Sequence, residues 1–351
     1  MTTLGGVSQE PGTNRRKIAL TGIKPTGEPH LGNFVGAVRP ALEMAAAAEY
    51  ESLYFIADYH SLTTPPAPAD LAHWTRSVAA TWLAAGLDPA RTVFYRQSDV
   101  PETFELAWVL SCVTGKGLMN RAHAYKALRD RNIEAGEDPD AGVSNGLFNY
   151  PVLMAADILI MEADLVPVGR DQLQHVEIAA DAAGSFNHVY GAGYRFPVPA
   201  AVVPPETTGH TLPGLDGRKM SKSYQNTIPL FLPAPQLKKL VRRIPTDSTP
   251  VEAPKDPDSS AVFQILAQFA DADTLTDTRK RLEAGGVGWG ELKGQLGEVL
   301  EDRLAPMRLR YEELMTPGSE LDEVLARGGA WARERASRVL SEVRRAVGVG
   351  R

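Results

Sequence analysis

The stretch KIALTGIKPTGEPHLGN (17–33) decides how the first half of the chain folds. Its opening, KIALTGI (17–23), is a short apolar run ending in turn residues, the pattern of a buried strand. The Gly/Pro-rich turn KPTGEP follows, and LGNFVGAVRPALEMAAAAEY (31–50) then supplies mostly good helix formers. A Gly-rich turn at a helix N-terminus presents backbone N–H groups and the positive end of the helix dipole to an anion. Gly32 leaves room for a nucleotide against the backbone. His30 and Asn33 fall one helical turn apart and can face one ligand. An ordinary strand–helix turn with a solvated histidine would carry the same residues.

Outward from this turn the pattern repeats. SLYFIAD (52–58) and TVFYRQS (92–98) are strand-like, and DLAHWTRSVAATWLAAGL (70–87) has apolar positions at helical spacing. Strands alternating with helices imply βαβ units and a parallel sheet. The segment 130–146 is polar and Gly-rich and reads as a mobile excursion, and the run that follows to Gly169 is dense in apolar residues. From Pro233 onward amphipathic helices replace strands, with prolines 229, 233 and 235 marking the change. The expected organisation is a flexible tail over 1–16, a catalytic domain over 17–228 with an insertion at about 64–148, and a helical domain over 229–351.

The 351 residues suit two domains, and 43% apolar with 23% charged residues excludes a wholly disordered chain. No apolar window is long enough for a membrane span, and the N-terminal residues lack the apolar core of a secretory signal. A single cysteine, Cys112, excludes an internal disulfide and a cysteine-cluster metal site. Its apolar surroundings, PETFELAWVLSCVTG (101–115), read as packing. These features point to a cytoplasmic protein. The net charge of −6 argues mildly against a nucleic-acid partner. Residues 233–351 are balanced, however, with 19 basic and 19 acidic side chains, and 324–351 hold seven arginines against two glutamates. Arg335, Arg338 and Arg345 fall near one helical face and are candidates for phosphate contacts; a solvated charged face accounts for them equally well.

A second constellation is GRKMSKS (217–223). Two ammonium groups, Lys219 and Lys222, with the hydroxyls of Ser221 and Ser223, on a loop with glycines before it, suit a polyphosphate and can close over it. The string K-M-S-K-S is far more specific than a generic basic loop.

Together these residues carry a resemblance. PHLGN resembles the HIGH signature of the class I aminoacyl-tRNA synthetases, and KMSKS is their other signature. The stretch YPVLMAADILIMEADLVPVGRDQLQHVEIAADAA (150–183) is similar to the corresponding segment of the bacterial-type tryptophanyl enzymes. The resemblance implies an α/β Rossmann catalytic domain with an inserted helical segment, followed by an all-helical anticodon-binding domain. It implies ATP-dependent attachment of L-tryptophan to tRNA(Trp) through a tryptophanyl-adenylate, with Mg²⁺ on the ATP, no structural metal, no membrane and a homodimer whose interface is sought in 101–115. A tyrosyl-tRNA synthetase, a small-molecule adenylyltransferase and a non-translational paralogue are the alternatives.

The same resemblance assigns residues. Asp157 would accept the indole N–H, with Met154, Val166 and Val168 as apolar walls, Tyr150 and Gln172 at the α-amino end, and His60 as a pocket histidine. Lys24, Pro25 and Thr26 would lie near the triphosphate, and Gly32 and Asn33 beneath the adenosine. Gly169, Arg170 and Asp171 would also serve ATP, as would Leu212 through its backbone and Lys219, Met220, Ser221, Lys222 and Ser223 of the loop. Lys219 and Lys222, with His30 and Asn33, would be catalytic. Two positions depart from the commoner pattern: position 24 is often Gln and position 170 often Glu. Both changes add positive charge.

Overall fold

In the computed structural model, residues 16–47, 49–203 and 212–350 are described. The proposed tail therefore lies almost wholly outside the described residues. Five parallel strands form one sheet in the order β3-β2-β1-β4-β5, with β1 at Lys17–Ile23, β2 at Tyr50–Ile56, β3 at Thr92–Arg96, β4 at Leu165–Pro167 and β5 at Ala200–Val202. β1 and β2 run in phase from Lys17 opposite Tyr50 to Ile23 opposite Ile56, whereas β4 meets β1 at Ala19 and Leu165. Because both faces are covered, these strands read as nearly continuous apolar runs. One face packs Ile18, Leu20, Leu53 and Phe55 against the helices Glu102–Val113, Asn145–Ile160 and Leu173–Tyr190. The other packs Tyr54, Ile56 and Phe94 with the helices Arg39–Ala46, Pro68–Ala84 and Trp289–Met315.

Two boundaries differ from the sequence reading. The insertion expected at 64–148 is shorter, because residues 92–96 form β3 and pair in register with β2. The helix Pro68–Ala84 is thus the crossover of a regular βαβ unit. The supposed excursion over 130–146 begins as the end of the helix His123–Glu134. Its loop is knit together by buried Asn132, whose Nδ2 donates to the carbonyls of Pro139 (3.1 Å) and Ala141 (2.8 Å).

From Ala234 onward the elements among the described residues are helices, as expected, but the last helix does not stay with its neighbours. Helix Glu320–Val347 places Leu321, Val324 and Leu325 in the core on one face of the sheet, and Ala336, Val339 and Val343 in the core on the other. It crosses the β3 edge at Gly328 and Gly329. A Cβ on Gly328 would lie 1.9 Å from the Phe94 carbonyl oxygen, so only glycine permits this backbone approach. Arg335, proposed for phosphate, instead turns inward: its guanidinium donates to the Met161 carbonyl (2.9 Å) and to Glu162 (3.0 Å). Cys112 is exposed rather than packed, and Trp108 on the same helix is 72% exposed.

Replacing Gly328 by Ala forces the helix off the strand. Overpacking of this kind costs about 1–3 kcal/mol, and the urea midpoint of unfolding should fall accordingly. An unchanged midpoint would show that the helix does not sit against β3.

Candidate active site

A parallel sheet places the C-terminal ends of its strands at one edge, and ligands enter where the strand order reverses. Here that point lies between β1 and β4. A cavity of about 520 Å³ opens there, walled by Gly22 from β1, Phe55 from β2, and Met154, Val166 and Val168. Its floor carries Asp157 from the helix Asn145–Ile160, only 3% exposed.

A buried carboxylate is costly unless it is hydrogen-bonded. Asp157 Oδ2 accepts from His60 Nε2 at 2.9 Å, and Gln97 Nε2 donates to both oxygens at 2.9 and 3.0 Å. Burial pushes the Asp157 carboxyl above the usual range, and the bonds from His60 and Gln97 pull it part of the way back. A carboxylate has about four acceptor positions, so capacity remains for a donor entering the cavity. Gln97 was not picked out from sequence. Its signal was positional: it directly follows β3, at the strand edge where sites of this architecture form.

The opposite wall is a relay. His175 Nδ1 bonds Gln172 Oε1 at 2.8 Å, which fixes the proton on Nδ1 and leaves Nε2 as the acceptor for the Tyr150 hydroxyl at 2.6 Å. With its proton given to His175, the Tyr150 oxygen keeps acceptor capacity, and Tyr150 lines the cavity. His175, 3% exposed, was also missed from sequence, although it closes the string GRDQLQH.

A smaller cavity adjoins the first, and Ile23 and Lys24 line both. Thr26, Asn33 and Lys222 also line it. The two signature segments meet here. The Gly32 N–H donates to Met220 Sδ at 3.3 Å, and a Cβ at Gly32 would come within 3.1 Å of the His30 ring and 3.3 Å of Met220 Cβ. Lys222 Nζ donates to the Thr26 carbonyl (2.7 Å), and Lys24 Nζ to Thr63 Oγ1 (3.0 Å). Partial burial lowers the pKa of both lysines. Pro25 is buried, and its carbonyl accepts from Ser61 Oγ at 3.0 Å.

His30 and Asn33 do not simply face a common ligand. They cap the helix reciprocally: His30 Nδ1 accepts the Asn33 N–H, and Asn33 Oδ1 accepts the His30 N–H, both at 3.3 Å. An accepting Nδ1 leaves the proton on Nε2. Burial, with a smaller contribution from the Lys222 charge, pulls the imidazole pKa down to about 4, so it is a neutral donor at pH 7.

The loop after Leu212 is a tight hairpin. Met220 N–H donates to the Leu212 carbonyl at 2.8 Å, and buried Asn226 accepts from Ser221 N–H and donates to Asp216 and the Lys219 carbonyl. Ser221 Oγ accepts the Ser223 N–H. Lys219 is exposed and lines neither cavity, whereas Lys222 does. Gly169 and Arg170 are exposed just beyond β4. The Asp171 side chain lies outside the described part.

The sequence profile of the tRNA synthetases class I (W and Y) matches residues 13–305. This chain belongs to that family. The synthetase is 53% identical over 331 residues to the tryptophan–tRNA ligase of Pseudomonas aeruginosa, covering 94% of this chain and 73% of that one. It is 54% identical to the ligase of the same name from Xanthomonas axonopodis pv. citri, covering 96% and 77%. Its backbone matches the crystal structure of the Campylobacter jejuni tryptophanyl-tRNA synthetase, complexed with ADP and tryptophan, with a TM-score of 0.85 at 39% identity over 95% of this chain and 100% of that one. The Rossmann sheet and helical C-terminal region expected of a class I synthetase are thus present.

The depressed His30 pKa has a sign that can be tested in this synthetase. Between its ordinary value of 6.5 and about 4, the unfolded chain takes up a proton at His30 that the folded chain refuses. The contribution is therefore complete above pH 6.5 and is lost as the pH falls towards 4. Replacing His30 by Asn, which keeps a capping acceptor, should shrink the stability lost between pH 7.5 and 4.5 by on the order of 1–3 kcal/mol. Urea unfolding at the two pH values measures it; equal losses in both proteins would contradict the burial of His30.

Proposed function

We propose that this enzyme activates L-tryptophan with ATP, forming tryptophanyl-adenylate and pyrophosphate, and transfers the tryptophanyl group to tRNA(Trp). The observation that carries this reading is the contact of the two phosphate-type loops beside a cavity floored by a buried carboxylate. Identity above 50% to relatives named tryptophan–tRNA ligase supports tryptophan over tyrosine, and an adenylyltransferase or a non-translational paralogue is not favoured.

Asp157 accepts the indole N–H, with His60 and Gln97 holding its carboxylate in place. Met154, Val166 and Val168 pack the ring. Tyr150, whose proton is given to His175, and Gln172 receive the α-ammonium group. The substrate carboxylate is already a nucleophile, so the first step needs no general base. Its rate comes from positioning and from charge stabilisation at the α-phosphate. Lys24, shared by the two cavities, stands where carboxylate and phosphate would meet. Lys222 and the His30 Nε2–H add donors from the nucleotide side, with Pro25, Thr26, Gly32 and Asn33 shaping the turn. Lys219, Met220, Ser221 and Ser223 form the loop that closes over the polyphosphate. Gly169, Arg170, Asp171 and the Leu212 backbone serve the adenosine.

Mg²⁺ would accompany ATP. Among the described residues no group of three or more His, Cys, Asp or Glu is arranged to hold a metal ion; the triphosphate oxygens would hold it and it would supply charge neutralisation there. The helical residues from 229 onward, taken as the anticodon-binding domain, carry exposed arginines such as Arg338 (side chain 66% exposed) for tRNA phosphates. A homodimer through the helix Glu102–Val113 is supported by its exposed Trp108. Among the described residues no helix is long and apolar enough to cross a membrane, and the proposed compartment is the cytoplasm.

Pyrophosphate exchange with each amino acid tests this reading. Tryptophan should drive exchange, tyrosine and phenylalanine should not, and tRNA(Trp) should be charged. Asp157→Ala should lower kcat/KM for tryptophan by about 10–150-fold, the equivalent of one hydrogen bond to a charged group. Exchange driven by tyrosine, or undiminished tryptophan use by the variant, would overturn it.

A further inference from the structure

Glu28, at the tip of the KPTGEPHLGN turn, is tied to two other parts of the chain. Its Oε1 accepts from His73 Nε2 at 2.6 Å, and its Oε2 accepts from Ser77 Oγ at 2.9 Å. Ser77 is completely buried, and its hydroxyl also meets the Tyr311 hydroxyl at 2.8 Å. His73 and Ser77 lie one turn apart on the helix Pro68–Ala84, which contributes Val78 and Thr81 to the wall of the nucleotide-side cavity. Tyr311 belongs to the long helix Trp289–Met315.

The ring of Tyr311 makes a second connection. It stacks on Phe231 with centroids 4.2 Å apart. Phe231 follows directly on Leu230, whose N–H donates to the Pro29 carbonyl at 3.0 Å, and the Leu31 N–H donates to the Ile228 carbonyl at 3.0 Å. Residues 228–231 are the strand-like exit of the KMSKS loop. One turn before Tyr311, Arg308 donates to the Leu232 carbonyl at 2.8 Å. The long helix is itself anchored at its end, where Arg76 donates to the carbonyls of Leu314, Met315 and Thr316 and pairs with Asp322. The contacts close a circuit: Glu28, Ser77, Tyr311, Phe231, Leu230, Pro29 and back to Glu28.

We propose that Tyr311 is a positioning residue for adenylate formation, holding the PHLGN turn through Ser77 and Glu28 and the exit of the KMSKS loop through Phe231, so that one side chain of the helical region keeps both nucleotide loops in register. The proposal rests on the reading of those loops as the ATP site. Tyr311 touches neither cavity, so its effect passes through the loops it holds. Its hydroxyl matters because Ser77 has one proton to donate: with Tyr311 donating to Ser77, the Ser77 proton is committed to Glu28.

Tyr311→Phe keeps the ring on Phe231 and removes only the hydroxyl. In tryptophan-dependent pyrophosphate exchange by the full chain, the KM for ATP should rise about fivefold or more while the KM for tryptophan stays within about twofold. Ser77→Ala, which leaves the fold's core smaller by one hydroxyl, should reproduce that shift. The double variant should be no worse than the stronger single one, because both break the same chain of contacts. A purely structural role would lower kcat through a reduced active fraction and leave both KM values unchanged. That result, an unchanged KM for ATP in Ser77→Ala, or additive effects, would overturn the proposal. Absence of exchange by the unaltered protein would instead overturn the reading of function on which it stands.

Discussion

The site depends on the missing side chain at position 32. Gly32 lets the KMSKS loop lie directly on the turn that follows β1, with the Gly32 N–H on the Met220 sulfur and Met220 itself buried. A methyl group there would press on both the His30 ring and Met220 Cβ at distances tighter than ordinary contact. From this contact follow the reach of Lys222 to the Thr26 carbonyl, the burial of His30 and the small cavity between the loops. The neutral state of His30 is part of the same arrangement, since burial and the neighbouring ammonium both disfavour a second proton.

The amino-acid side of the site solves a different problem. An unpaired carboxylate at the position of Asp157 would cost several kcal/mol. His60 and Gln97 offset that cost while leaving acceptor capacity for the substrate. The arrangement favours a side chain that brings one donor into an otherwise apolar pocket. An analogue without that donor leaves the carboxylate desolvated and underused, and this asymmetry gives selectivity.

Much of this was legible in the sequence because its signals are local. The run 17–23 is β1 residue for residue, and the strand candidates beginning at 52 and 92 match β2 and β3 to within two residues. The two signature strings, nearly 190 residues apart, turned out to touch. Asp157 was noticeable because a carboxylate in an apolar helix needs a reason. What was illegible is long-range. Nothing near Gln97 says that its amide meets Asp157, 60 positions later. Nothing in Gly328 says that the strand it approaches is β3. Arg335 looked like one of several surface arginines, yet its partners Met161 and Glu162 lie more than 170 positions away. Helical spacing groups it with Arg338 and Arg345, whose side chains stay exposed, and only the tertiary packing decided that the Arg335 side chain turns inward.

The most direct test of the account is the Gly32→Ala variant, read by two measurements on the same protein. Calorimetric titration should give a tryptophan affinity within about twofold of the unaltered protein, since the amino-acid cavity does not involve this contact. Tryptophan-dependent pyrophosphate exchange should fall about 10²–10³-fold, the scale of losing a preorganised transition-state contact. Exchange within about threefold of normal would contradict the claim that the contact between Gly32 and Met220 assembles the nucleotide site.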